Sequence, residues 1–180
     1  EPTPVVASAS ITEPRTCNNS GATITASASG GTPNYEYQLE DNAGVPIATY
    51  SFNDNGSNTV FTGLAVGDYI VRARDINNCS DPINTALSVV ATTDPTFNLT
   101  PTLCYSGASD ASILVNVTSI PGNGGFQFSL NGGPWIIPTP TTATSYTFDN
   151  LANGTYTIDV QDAFGCSASQ QSITINPQVT

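Results

Sequence analysis

Any chemistry in this chain has to be done with carboxylates, hydroxyls and thiols. Its 180 residues hold 14 acidic residues, three Arg and four Cys, with no His and no Lys. Nucleophilic triads and Schiff-base lysines therefore lack their parts. Paired carboxylates remain, and glycoside hydrolysis uses such pairs. Glu36 and Glu40, beside Asp41, are the candidates, because alternation over residues 34–40 puts both on the outward face of one strand. The matching positions in a later, related stretch are Gln127 and Asn131, which carry no charge. The pair is thus not a repeated feature, and the chain reads as non-enzymatic.

The thiols suggest staples. Cys17 and Cys79 lie 62 residues apart, and Cys104 and Cys166 share that spacing. Zinc sites in small proteins use closer pairs, usually with His, so disulfides Cys17–Cys79 and Cys104–Cys166 are expected. A loop of that length adds about 4 kcal/mol in the chain-entropy model. Such bridges also imply an oxidising compartment.

Two further groups offer binding chemistry. Asp75, Asn77 and Asp81, with Asn78 among them, crowd one loop with oxygen donors suited to calcium. The chain has no D-x-[DN]-x-[DN]-G loop, and Asp162-Ala163-Phe164-Gly165 lacks the extra oxygens, so turn capping is the preferred reading. No cofactor is expected, calcium being the one candidate. Trp135, the single Trp, follows Gly132-Gly133-Pro134 at a hairpin edge and is a candidate contact for a sugar ring, with Tyr105 elsewhere in that stretch.

These residues ride on a stretch that occurs twice. Phe61, Leu64, Gly67, Tyr69, Asp75 and Cys79 recur as Phe148, Leu151, Gly154, Tyr156, Asp162 and Cys166, each 87 residues later. A period of that length predicts two domains, over residues 1–92 and 93–180. In each copy Phe ends a strand, Leu64 or Leu151 plugs the core, and Gly67 or Gly154 makes the turn. Tyr69 or Tyr156 then opens the outgoing strand as a tyrosine corner.

Around the corner, Ala22 to Ala28 alternates apolar and hydroxyl residues, and Tyr35, Tyr37 and Leu39 alternate with polar neighbours. Further strands are expected over residues 5–11, 45–52, 57–62, 68–75 and 83–91. The second copy repeats the pattern, with Asn131-Gly132 as a hairpin turn. The fold expected is all-β: two tandem immunoglobulin-like sandwiches of about seven strands, one disulfide each, with almost no helix.

Composition narrows the partners. Net charge is −11 with charged residues at 9%, so nucleic acid and anionic membranes are poor ligands. No apolar run is long enough to span a bilayer, and no membrane insertion is expected. Pro-containing segments at Glu1–Pro4, Thr93–Thr96 and Asn176–Thr180 read as inter-repeat linkers, and the chain as a fragment of a longer secreted protein.

Three stretches resemble a known family. Cys17 with Gly21, Gly30-Gly31-Thr32-Pro33 leading to Tyr35, Tyr37 and Leu39, and Leu64-x-x-Gly67-x-Tyr69 through Asp75 to Cys79 are similar to the SprB-type repeats of giant Bacteroidetes surface adhesins. The second copy departs from that pattern, with Gly124-Gly125-Phe126 in place of Gly-Gly-Thr-Pro. The resemblance implies arrays exported by type IX secretion and displayed outside the cell, in adhesion or gliding motility. Its implied partners are neighbouring repeats, with surface glycans or abiotic surfaces beyond them. The alternative is a carbohydrate-binding or accessory module of a secreted hydrolase.

Overall fold

Ala22, Ile24 and Ala26 are apolar at every second position, and this alternation makes Ala22–Ser29 a strand with one face in the core. The computed structural model describes residues 3–80, 85–102, 110–119 and 125–177. Asp81, Cys104 and Tyr105 lie outside these. The chain divides into two compact units, Glu1–Ala91 and Thr92–Thr180.

In the first unit, β1 (Val6–Glu13), β2 (Ala22–Ser29), β3 (Tyr35–Asp41), β4 (Val60–Leu64), β5 (Gly67–Asp75) and β6 (Thr85–Val89) form two antiparallel sheets. Their orders are β1-β2-β4 and β3-β5-β6. Ile24 and Phe61 from one sheet meet Leu39 and Val71 from the other, all four fully buried. A Phe side chain fully removed from water contributes about 2 kcal/mol, so Phe61 is a main prop of this core.

The second unit is built alike from β7 (Phe97–Pro101), β8 (Ala111–Val117), β9 (Phe126–Leu130), β10 (Ser145–Leu151), β11 (Gly154–Asp162) and β12 (Gln171–Ile175). Its sheets run β10-β8-β7 and β12-β11-β9 around Phe128, Ile113, Ile158 and Val160. Gln171 Nε2 donates to Phe97 O at 2.7 Å and ties the two sheets at their edge.

Each unit thus shows six strands among the described residues, where about seven were expected. The shortfall is one edge strand. Residues 45–52 make only a bridge between Glu40 and Pro46, then a 3-10 turn at Ala48–Tyr50 and a single helical turn α1 (Phe52–Asn55). In the second unit the same place holds the bridge Phe128–Ile136. Pro46 in one copy, and Pro134, Pro138 and Pro140 in the other, lack the N–H that a longer ladder needs. The Asn131-Gly132 turn has both residues at positive φ, 52° and 66°, as a two-residue hairpin requires.

The helical turn also changes which face of β3 is solvent. Tyr37 and Leu39 face the core as expected, but Gln38 and Glu40 are buried too, at 8% and 3% exposure. The segment after Pro46 covers them, and Phe52 N donates to Gln38 Oε1 at 3.2 Å.

Candidate functional site

The repeated corner places most of the candidate residues. Register shifts between Ala22 and Ile24 against β4, and between Phe148 and Leu151 against β8, mark a bulge in each copy. Gly63 (φ 70°) and Asn150 (φ 59°) sit at the bulge, 87 residues apart in the chain. The extra residue lets Leu64 point inward although Phe61, three positions earlier, also does. Sequence reasoning missed this pair. The only signal for it was the Phe-x-x-Leu spacing, which strict alternation forbids.

Past the bulge, the Tyr69 hydroxyl donates to Ala65 O and the Tyr156 hydroxyl to Ala152 O, both at 3.0 Å. This latch closes the turn on itself. Gly67 and Gly154 have matching φ values of 157° and 156°, and a Cβ at either would lie 3.8–3.9 Å from the tyrosine ring.

At the other end of β5 the Asp75 carboxylate, 3% exposed, works as a clasp. Oδ1 accepts the amides of Asn77 and Cys79 at 2.9 Å each, and Oδ2 accepts the amide of Thr32 at 3.0 Å. These bonds, the Thr32 amide foremost, hold its carboxyl below the usual carboxylate range against the opposing effect of desolvation; the Cys79 thiol adds to them. Asp162 repeats the clasp on Phe164 and Cys166 at 2.9 Å each. The left-handed position of the turn is Asn78 (φ 62°) in one copy and Gly165 (φ 77°) in the other. Of the calcium candidates, then, Asp75 has both oxygens on backbone amides, Asn77 is exposed, and Asp81 is outside the described residues.

Glu36 and Glu40 are not a bare pair of carboxylates. Arg74 reaches Glu36 at 2.5 Å, and Arg72 Nε reaches Glu40 Oε1 at 2.7 Å. Gln38 Nε2 donates to the same Glu40 oxygen at 2.7 Å, while Glu40 Oε2 is buried with no hydrogen-bond partner among the described residues. Arg74 also stacks on the Phe52 ring, 4.4 Å from its centroid. The two arginines alternate with Val71 and Ala73 on β5, so they share a face with the glutamates of β3. Asn34, Glu36, Ser57, Arg74 and Asn78 line an open cleft of about 500 Å³ at this end of the unit, and its charges are already matched.

Trp135 is 43% exposed and Ile137, two residues on, is 60% exposed. They form the apolar surface of the second unit's edge segment.

The cysteines overturn one expectation. Cys17 and Cys166 are disulfide-bonded, whereas Cys79 is a free, exposed thiol, so the Cys17–Cys79 bridge is not formed. The reason is the length of the strands. Cys17 lies in the β1–β2 turn beyond Ala22, which pairs with Leu64 at the corner end. Cys79 is held to Asp75, whose carboxylate binds Thr32, beyond Ser29 at the far end of β2. Eight residues of strand at about 3.3 Å each separate the two ends by roughly 23 Å. A disulfide needs Cα atoms within about 7 Å. The Cys104–Cys166 pairing involves a residue outside those described.

Comparison with known proteins agrees with one feature of this construction. Residues 9–44, spanning β1 to β3, match the family model for the SprB repeat. No curated protein matches the chain. Among solved structures, fibronectin(III)-like modules of Clostridium thermocellum CbhA align at 17% identity and a TM-score of 0.42, over 96% of this chain and 94% of that one. The amphioxus IgVJ-C2 molecule aligns at 12% identity and a TM-score of 0.36, over 98% of both chains. Both are remote likenesses. The stretch 9–44 of the first unit is thus similar to a SprB repeat.

Proposed function

We infer that these units are non-enzymatic modules of a large bacterial cell-surface adhesin, serving as stalk and adhesion elements in series. One observation carries the reading. The buried carboxylate and the corner tyrosine of each copy are spent on their own backbone: Asp75 and Asp162 on turn amides, Tyr69 and Tyr156 on turn carbonyls. Residues so committed hold a turn shut. Copies of such a unit bind weakly one by one and strongly as an array, since linked sites raise the effective concentration of each other. Export by type IX secretion and a part in surface adhesion or gliding are the finer elements of this reading. Neighbouring repeats are its first partners, and glycans or abiotic surfaces its outer ones.

The test is surface exposure on the cells that make the protein. Antibodies against the 180-residue chain should label intact cells, and external protease should remove the label. Labelling that appears only after lysis would sink the reading.

A second reading rests on Trp135 and Ile137, whose exposed side chains suit stacking on a sugar ring. It makes the second unit a carbohydrate-binding accessory module. Titration with soluble polysaccharides should then shift Trp135 fluorescence, and Trp135→Ala should abolish retention on the polysaccharide. Unchanged fluorescence across a panel of glycans rules that reading out.

A further inference from the structure

The open cleft of the first unit holds polar groups that the fold does not need. Arg74 Nε and Nη2 both reach Glu36 Oε2, at 2.6 and 2.5 Å. Glu36 Oε1 and Arg74 Nη1 are left without a hydrogen-bond partner among the described residues. Glu36 stands opposite Arg74 across β3 and β5, and Gln127 opposite Gln161 takes the same place across β9 and β11. Gln161 Nε2 donates to Gly165 O at 3.1 Å, so that position is spent on its own turn. Asn34 and Asn78, which line the cleft with Ser57 and Ile76, become Gly125 and Gly165. The second unit thus builds matching strands and the Asp162 clasp without these four side chains. Neither strand pairing nor the clasp accounts for them in the first.

We propose that this cleft binds a neutral saccharide. The remaining carboxylate oxygen and guanidinium nitrogen are an acceptor and a donor on one ion pair. Sugar hydroxyls on neighbouring carbons can donate to the one and accept from the other. Arg74 is held from two sides, by Glu36 and by the Phe52 ring 4.4 Å away, so little side-chain freedom is lost on binding. The amides of Asn34 and Asn78 and the hydroxyl of Ser57, all on exposed residues, add donors and acceptors around the rim. Ile76, 62% exposed, offers an apolar surface to the C–H face of a ring. Charge favours a neutral ligand. Glu36 and Arg74 cancel, the Asp75 carboxylate is taken up by three amides, and an anion would face a chain of net charge −11. A peptide would need an apolar pocket for a side chain, and Ile76 alone does not make one. The cleft's volume of about 500 Å³ lies within the ~300–1,000 Å³ of small-molecule sites. The inference deepens the adhesin reading, on which it rests for a glycan partner, and puts that site in the first unit rather than at Trp135.

The intact chain tests it. The protein is screened against immobilised glucan, galactan, mannan and xylan oligosaccharides, beside uronic-acid and sulfated ones, and the best neutral binder is titrated by calorimetry. A neutral oligosaccharide should bind. Glu36→Gln and Asn78→Gly, each borrowing the second unit's residue, should weaken it about tenfold. Asn78 has φ 62°, which glycine adopts freely, and Glu36 is partly exposed, so both variants should keep the fold, as circular dichroism melts will read. A panel without a neutral binder, a preference for acidic sugars, or affinity unchanged in both variants would each overturn the proposal. So would binding that Trp135→Ala abolishes and Glu36→Gln spares, which puts the sugar in the second unit. None of those results bears on whether the protein is displayed on cells, which antibody labelling reads separately.

Discussion

The Asp75 carboxylate accepts the amide of Thr32 at 3.0 Å across 43 residues, joining the end of β5 to the turn that leaves β2. In the second unit Asp162 Oδ2, the corresponding oxygen, is buried without a partner among the described residues. The first clasp thus spans two sheets. The consequences differ for acid, for mutation and for crowding.

Acid should weaken the first unit through this clasp. The folded carboxyl of Asp75 lies below its ordinary value of 3.8, so the stability it supplies is complete above that value. It is lost as pH falls through the folded value, because the unfolded chain takes up the proton first. Thermal unfolding followed at pH 7, 4 and 3 should show a shallower acid loss in Asp75→Asn than in the parent. Equal slopes would mean that the clasp carries no linkage. At the alkaline end burial raises Tyr37, so its contribution is present below pH 10.0 and declines as pH climbs past it.

The tyrosine latches should be worth similar amounts in both copies. Tyr69→Phe and Tyr156→Phe each remove one hydroxyl bond of 3.0 Å and leave a turn carbonyl to find water. A cost of about 1 kcal/mol each is expected from the typical net value of a hydrogen bond. Trp135 fluorescence reports unfolding of the second unit for Tyr156→Phe, and circular dichroism serves for Tyr69→Phe. A loss confined to one copy would contradict the shared geometry.

The two arginines of β5 should behave unequally. Arg72→Ala strands the Glu40 carboxylate, whose side chain is 4% exposed, at a cost of about 3 kcal/mol. Arg74→Ala frees Glu36, 42% exposed, and should cost about 1 kcal/mol or less, including its stacking on Phe52. Urea midpoints compared in low and high salt would check this, since only the Arg74 pair should fade with salt. Equal losses would show that Glu40 reaches water or another partner.

Crowding at the Gly30-Gly31 turn supplies a fourth test. A Cβ on Gly30 would lie 1.9 Å from Pro4 O, and the residue has φ 77°. Gly56 has φ 55° and ψ −126° with open space around it, so Gly56→Ala isolates the conformational cost of a glycine-only backbone, about 1–3 kcal/mol. Gly30→Ala should lower the midpoint by clearly more, because the chain entering β1 has to move. Matching losses would show that the entering segment gives way freely.

Much of this was legible in the residues. The 87-residue period, the alternation in β2 and β5, the Asn131-Gly132 turn and the corner motif are local patterns, and local sterics read them directly. Gln38 and Glu40 were misjudged as outward because alternation states which face a residue takes. It does not state what later covers that face, here the turn after Pro46. Arg72 and Arg74 were overlooked as partners because strand register is a long-range fact.

The sequence by itself determined the repeat, the all-β character and the corner with its Leu, Gly, Tyr and Asp. These follow from the side-chain period and from turn chemistry acting over a few residues. Only the tertiary structure decided where the ends of the strands fall. Cys17 and Cys79 keep the same spacing in the chain whichever ends they occupy, and the number of residues between them says nothing about that. Two strands of eight and nine residues, β2 and β5, put them at opposite ends, and so turn an expected internal bridge into a free thiol.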